Sequence, residues 1–111
     1  MKFTIKKEEL AKIPAVNVDH IVYLNMICGN GTLQASIFGK NFPEKEIEVN
    51  ADVKEEGFGI IVANNFNNVV NVFVDGSDIE CEFKDGHFTM NAKNISISIK
   101  GYEKIPESFL Q

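Results

Sequence analysis

Apolar and polar residues alternate along most of the chain, in short runs separated by turn signals. The first run is KFTI, and two longer runs, residues 21–28 and 33–37, flank the turn sequence GNG. Alternation with a period of two is typical of strands that bury one face, and such a turn between two runs predicts a β-hairpin. The first third of the chain is therefore predicted to be a strand, a short helix and a hairpin.

The segment EIEVNADV, residues 46–53, alternates strictly. The pattern points Ile47 and Val49 inward and leaves Glu46 and Glu48 on an acidic outer face. The sequences on either side, GKNFPEK and KEEGF, are rich in turn residues and charges and predict connections. One continuous strand is therefore expected over residues 46–53.

Two segments have helical spacing. KKEELAKI places Leu10 and Ile13 on one face and is stopped by Pro14. NNFNNVVNVFVD carries an apolar stripe at i, i+3, i+4 and i+7 and covers its other surface with asparagines; Asn64 or Asn65 is expected to cap its start. The stripe consists of Phe66, Val69, Val70 and Phe73, and the asparagines are Asn64, Asn65, Asn67, Asn68 and Asn71. Because valine and asparagine are poor helix formers, this helix needs a sheet to pack on.

The second half repeats the order of the first: the strand FGIIV, the asparagine-rich helix, the hairpin DIECEF and HFTMNA, and the last strand NISISIK. A shift of 55 residues superposes four inward-facing or turn positions, in agreement with an internal duplication. These pairs are Ile5 with Ile60, Met26 with Cys81, Gly31 with Gly86, and Leu33 with Phe88. We predict an α+β fold of two βαβββ repeats, about residues 1–54 and 55–111 of one domain, with two adjacent helices packed on two antiparallel sheets.

Composition narrows the class further. The chain has 111 residues, 44% of them hydrophobic, enough for a core without metals or disulfides. Cys28 and Cys81 are expected to be buried thiols in a reduced compartment, with a disulfide as the alternative. The opening MKFTIKKEEL does not read as a signal peptide, and no apolar stretch is long enough to span a membrane. A cytoplasmic location without membrane contact is expected.

The charged residues argue against several functions. The net charge is −5 and all 11 basic residues are lysine, which disfavours sequence-specific DNA reading by this chain alone. His20 and His87 stand apart from other ligands, and DGSD at 75–78 lacks the further oxygens of a calcium loop. No serine lies in a nucleophile-elbow context. The sequence therefore predicts no metal, no cofactor and no enzymatic activity.

The segments MKFTI, GNGTLQASI, IVANNFNNVVNVF, IECEFKDGHFTMNAKNISISI and IPESF, in this order, resemble the N-terminal domain of the bacterial DNA sliding clamp, the beta subunit of DNA polymerase III. The resemblance covers essentially the whole chain. It implies a ring protein that acts in DNA replication with other replication proteins, encircles duplex DNA and raises polymerase processivity. Helices would line the hole, and sheets would form the outside.

The resemblance also implies a set of DNA-facing residues, which touch phosphates through water without reading bases. They are Lys6, Lys7 and Lys12 in the first helix and Asn64, Asn65, Asn68 and Asn71 in the second. The chain departs from the family in two respects: Pro14 shortens the first helix, and the second helix lacks the family's basic residues. A single copy is therefore expected to bind DNA weakly.

Bacterial clamps join three such domains per chain and six per ring. The resemblance implies head-to-tail self-association between two edge strands. One edge carries Ile95, Ile97 and Ile99, and the other carries Glu46 and Glu48. The alternative is a stand-alone protein-interaction module that keeps the fold, no longer encircles DNA and binds another protein by strand addition at an edge.

Overall fold

A computed structural model of the chain describes residues 1–93 and 95–104. Its elements follow the order βαβββ twice, with the last strand of the first half divided in two. In chain order they are β1 (Lys2–Lys6), α1 (Lys7–Leu10), β2 (Val22–Gly29), β3 (Thr32–Gly39), β4 (Phe42–Asn50), β5 (Asp52–Glu55), β6 (Gly57–Val62), α2 (Phe66–Val70), β7 (Asp78–Lys84), β8 (His87–Ala92) and β9 (Ile95–Tyr102). The predicted α+β fold class of two βαβββ units is confirmed.

The strands form two antiparallel sheets that share two corners. The first sheet has the order β4-β3-β2-β6, and the second has the order β5-β1-β7-β8-β9. At one corner the chain passes from β4 to β5 through Ala51, whose N–H donates to the Gly31 carbonyl at 3.0 Å. At the other corner the end of β9 pairs with β6, and the Gly101 N–H donates to the Gly86 carbonyl at 2.8 Å. The two halves therefore join their sheets in the same way.

The second corner depends on glycine. A Cβ at Gly101 would lie 2.1 Å from a ring atom of Phe83, and a Cβ at Gly59 would lie 2.6 Å from the same ring. Both distances are far below van der Waals contact. The Phe83 ring can pack against the crossing of β6 and β9 only because both positions lack a side chain.

The core lies between the two sheets and is closed by the two helices. It includes Leu33 and Phe88, which occupy equivalent places in the two halves and are fully buried. Cys28 and Cys81 are both buried free thiols, as predicted. Burial raises the pKa of each thiol, so both remain protonated near neutral pH.

The helices are shorter than predicted. α1 is a single turn, and α2 ends at Val70 instead of continuing to Asp75. Phe73 is nevertheless buried, because the chain after α2 stays on the core in turns that keep the apolar spacing. Residues 10–15 line one cleft of about 310 Å³ together with Phe66, Asn67 and Val70 of α2 and with Asn71, which confirms that the two helices are adjacent.

Three further expectations need correction. Phe42–Lys45 and most of KEEGF belong to strands rather than connections, and Pro43 is tolerated because β4 is an edge strand. Residues 46–53 are not one strand, because Ala51 turns the chain from one sheet to the other. The strand pairing makes Ile61, not Ile60, the counterpart of Ile5. Asn94, the first residue of the predicted last strand, and IPESF at 105–109 lie outside the described residues.

Candidate nucleic-acid interface and assembly edges

Each of the three lysines assigned to DNA by resemblance forms an ion pair with a carboxylate. Lys6 lies 2.8 Å from Asp78, and Lys7 lies 2.7 Å from Asp75. Lys12 pairs with a carboxylate of its own segment, Glu9. Only Lys7 belongs to α1: Lys6 ends β1, and Lys12 lies in the turn after the helix. The expected placement of all three on the first helix is wrong, because that helix is one turn long.

The ion pairs change the pKa values of the partners. The Lys7 ammonium lowers the pKa of Asp75 by hydrogen bonding and by its charge. Lys12, with help from the Asn50 N–H, lowers the pKa of Glu9, and Asp78 raises the pKa of Lys6. Each lysine charge is therefore balanced locally, and this part of the surface has no net positive field to attract phosphate.

Asn64 bonds to the chain before β2. Its side-chain oxygen accepts from the Val22 N–H at 2.9 Å. Its amide nitrogen donates to the carbonyl oxygens of His20 at 2.9 Å and of Val18 at 3.3 Å. Phosphate oxygens only accept hydrogen bonds, and both donor hydrogens of Asn64 already point to carbonyl oxygens. The side chain therefore fixes the entry to β2.

The remaining predicted asparagines lie on the exposed side of α2. Asn65 precedes the helix with a left-handed backbone (φ 64°), Asn68 lies within it, and Asn71 follows it. The expectation of a side-chain cap is wrong, since the side chain of Asn65 makes no capping bond to the helix. Lys12 and Asn71 line the same cleft between the two helices, so the structure brings these two predicted site residues together.

The edge strands are the second candidate site. β4 pairs only with β3, and residues 95–100 of β9 pair only with β8 among the residues described. Both strands turn half-buried apolar side chains toward the core. They are Phe42 and Ile47 on β4 and Ile95, Ile97 and Ile99 on β9.

The two open edges differ in charge. β4 carries three exposed glutamates, Glu44, Glu46 and Glu48, and Lys45 lies between the first two. Glu46 and Glu48 belong to the predicted edge. Lys100 lies at one end of the open part of β9, Lys93 precedes the strand by two residues, and the other exposed side chains of this part of β9 are serines. The edges are thus complementary in charge, acidic on β4 and basic on β9.

One surface was missed by the sequence reasoning. The outward side of the first sheet carries Ile27 and Phe58, which lie directly opposite each other on β2 and β6. The signal was present in the sequence, since IVYLNMI and FGIIV have apolar residues on both faces of the strand instead of a clean alternation.

Within residues 1–93 and 95–104 the structure offers neither a metal-binding cluster nor a membrane-spanning helix. In that part of the chain no group of three histidine, cysteine, aspartate or glutamate residues is placed to hold a metal ion. None of its helices is long and apolar enough to cross a membrane.

The chain was compared with known proteins. No protein-family model matches it. No curated protein matches it either.

Solved structures of bacterial sliding clamps do match. A DNA polymerase III beta sliding clamp from Bartonella birtlesii has a TM-score of 0.81 and 16% identity, covering 96% of this chain and 33% of the clamp. The clamp from Caulobacter crescentus has a TM-score of 0.77 and 19% identity, covering 97% and 31%. The beta subunit from Pseudomonas aeruginosa has a TM-score of 0.77 and 15% identity, covering 96% and 32%. The chain thus has the fold of one clamp domain and spans about a third of the length of these proteins.

Proposed function

We propose that the chain is a clamp-type domain, residues 1–111 with repeats 1–54 and 55–111, that assembles head to tail into a sliding-clamp-like processivity factor. The ring acts on duplex DNA in cytoplasmic DNA replication, together with replication proteins, and has no enzymatic activity. The proposal is supported by the clamp-domain fold and by the similarity of this fold to DNA polymerase sliding clamps.

The observation that carries the proposal is the pair of open edges. A strand edge with unpaired backbone groups favours pairing with another strand, and both edges leave inward apolar side chains incompletely covered. Pairing β9 of one copy with β4 of the next satisfies the backbone groups and completes the burial of Ile47 and Ile97 together. It also brings Lys100 toward Glu46 and Glu48. The contact is heterologous, so it closes into a ring when the rotation per copy fits.

In this assembly the exposed asparagines of α2 meet the DNA. Neutral amides at Asn65, Asn68 and Asn71 donate weak, exchangeable hydrogen bonds to phosphate or bridging water, which permits sliding. Lys6, Lys7 and Lys12 contribute little counterion release while they remain paired with carboxylates. Retention on DNA therefore depends on encirclement more than on affinity.

The same ion pairs favour a second candidate function. A surface whose lysines are all neutralised, in a chain of net charge −5, suits a protein partner better than a polyanion. In this alternative the domain stays single and binds an extended segment of another protein at the β4 or β9 edge.

The experiment that separates the two functions uses a circular duplex and a linear duplex of identical sequence. Because the ring forms from separate protomers, it can close around a circle without a loading factor. The chain is mixed with each DNA at about 50 mM salt, and the complexes are then challenged at about 300 mM salt during gel filtration. Retention on the circle with loss from the linear duplex is expected.

A matched control is the double substitution Glu46→Lys/Glu48→Lys, which opposes Lys100 with like charge and should abolish the retention on circles. Equal loss of the native chain from both DNA forms contradicts encirclement. In that case the single-domain interaction module is the better account, and binding of extended peptides at the edges becomes the measurement to make.

A further inference from the structure

The outer faces of the two sheets differ at equivalent positions. On the second sheet, Lys2 of β1 lies opposite Glu82 of β7. The equivalent place on the first sheet holds Phe58 of β6 opposite Ile27 of β2. One half thus uses a charged cross-strand pair where the other exposes two large apolar side chains to solvent.

This apolar pair is open and lies beside a groove. Ile27 is 47% exposed and Phe58 is 56% exposed. The groove, about 310 Å³, runs from Ile27 across β3 to Glu46 and Glu48 on β4. Within it the Gln34 side chain donates to the Glu48 carboxylate at 3.1 Å, which holds that carboxylate toward the groove.

The rim of the groove is acidic. Glu46 and Glu48 lie along one side, and beyond the groove the Glu56 carboxylate lies next to Gly29, two positions from Ile27 on β2. β2, β3 and β6 contain no lysine, and the single lysine of β4, Lys45, lies opposite the inward-facing Ile37. An apolar centre with a carboxylate rim repels phosphate and anionic lipid, and it complements an apolar side chain flanked by cations.

We propose that the outward face of the first sheet, centred on Ile27 and Phe58, binds a segment of a partner protein that presents a large aliphatic side chain between lysines or arginines. The aliphatic side chain packs on Ile27 and Phe58, and the cations meet Glu46 and Glu48. The site uses the face of the sheet and is present in a single protomer; in an assembled ring its rim glutamates, Glu46 and Glu48, also meet Lys100 of the neighbouring copy.

The test uses three fluorescein-labelled peptides, AKLKLKA, AELELEA and AKSKSKA, with fluorescence anisotropy and amide shift mapping by NMR. AKLKLKA should bind most tightly, by about tenfold over each of the other two, because only it satisfies both the apolar centre and the rim. Its affinity should fall as salt is raised. The shifted amides should cluster on β2, β3 and β6.

The informative variant is Ile27→Glu/Phe58→Lys, which transfers the cross-strand pair of the second sheet to the first. Since both side chains point to solvent, it should leave the fold intact and weaken AKLKLKA binding by about tenfold. Lys2→Thr/Glu82→Thr, at the equivalent place on the second sheet, should leave the binding unchanged. Glu46→Gln/Glu48→Gln should remove most of the salt dependence.

Three results would overturn the proposal: equal binding of AELELEA, shifts confined to the second sheet or the helices, or unchanged binding by the Ile27→Glu/Phe58→Lys variant. A fall in solution mass caused by that variant would show that the face contacts a second copy instead of a basic partner. Failure of the circular-DNA test leaves this site untouched, since no step here depends on assembly.

Discussion

The two halves of the molecule agree on the inside and differ on the outside. Inward positions carry the same class of residue in both, with Leu33 and Phe88 as equivalents, and the corner hydrogen bonds to Gly31 and Gly86 match. Outward, Lys2 on β1 and Glu82 on β7 correspond to the exposed Phe58 on β6 and Ile27 on β2. The fold dictates the first set, because burial leaves little choice. The second set is free to vary, so its difference reports on binding.

In each half, the residues that follow the first strand anchor the chain of the other half, and the two halves use different side chains to do so. The Lys7 N–H donates to the Ser77 carbonyl, as the Ala63 N–H donates to the Val22 carbonyl in the other half. The next residue then anchors the chain of the other half, ahead of β7 in one case and at the start of β2 in the other. Glu8 does so by accepting from the Gly76 N–H. Asn64 does so through three hydrogen bonds, and these leave no amide hydrogen for a ligand.

The largest expected effect tests the shared core. Leu33→Ala should lower the free energy of unfolding by about 2 to 5 kcal/mol and Phe88→Ala by about 3 to 5 kcal/mol, because each leaves a cavity between the sheets. Urea unfolding followed by circular dichroism and by tyrosine fluorescence measures both. The sheets share their corners, so each variant should keep a single transition; separate transitions for the two probes would show that the halves unfold independently.

The corners give the next largest difference. Gly101→Ala should lower the free energy of unfolding by about 1 to 3 kcal/mol, because its Cβ overlaps the Phe83 ring. At the other corner Ala51 already carries a Cβ, and Ala51→Gly should cost about 1 kcal/mol or less. Addition of Phe83→Leu should recover part of the Gly101→Ala loss. Equal effects at both corners would contradict the crowding seen at the second.

The anchors come third. Asn64→Ala should lower the free energy of unfolding by about 1 to 2 kcal/mol, because the partly buried Val22 N–H loses its acceptor. Asn68→Ala, on the exposed side of α2, should stay within about 0.5 kcal/mol and serves as the control. Thermal unfolding of both variants makes the comparison. Similar losses for the two would mean that Asn64 is not the anchor described here.

The smallest expected effect is a change in the pH dependence of stability, and it comes from the Lys7–Asp75 ion pair between the two halves. The pKa of Asp75 is lowered in the folded state by Lys7, so the pair stabilises the fold above the ordinary aspartate pKa. This contribution is lost as pH falls through the lowered pKa. Asp75→Asn should therefore flatten the acid limb of the stability curve below about pH 4, with Glu44→Gln as an exposed control. An unchanged acid limb would show that the pair contributes nothing measurable.

Strand positions were predictable because burial of one face imposes a period of two: β8 was expected at residues 87–92 and lies there. The end of α2 at Val70 was not predictable, because the turns up to Phe73 stay on the core and keep helical spacing. The break at Ala51 leaves the alternation undisturbed and so leaves no signal. The partners of Lys6 and Lys7 are about 70 positions away in the sequence, on the other half of the fold, so local charge patterns did not indicate them.

Asn64 illustrates a limit of assigning roles by resemblance alone. A stretch of five asparagines predicted a uniform polar face. The side chain of Asn64 is instead hydrogen-bonded to the backbone before β2, whereas the other four remain exposed or half-exposed. The difference depends on which side chain lies next to residues 18–22, far away in sequence. Only the folded arrangement provides that information.

The proposed assembly is tested most directly by the mass of the chain in solution, measured by sedimentation velocity over a range of concentrations. The account predicts a closed species of six protomers, each of 12.4 kDa. Glu46→Lys/Glu48→Lys should reduce it to single protomers, and addition of Lys100→Glu to that variant should restore the six. A native chain that sediments at 12.4 kDa at every concentration would contradict head-to-tail pairing of β9 with β4.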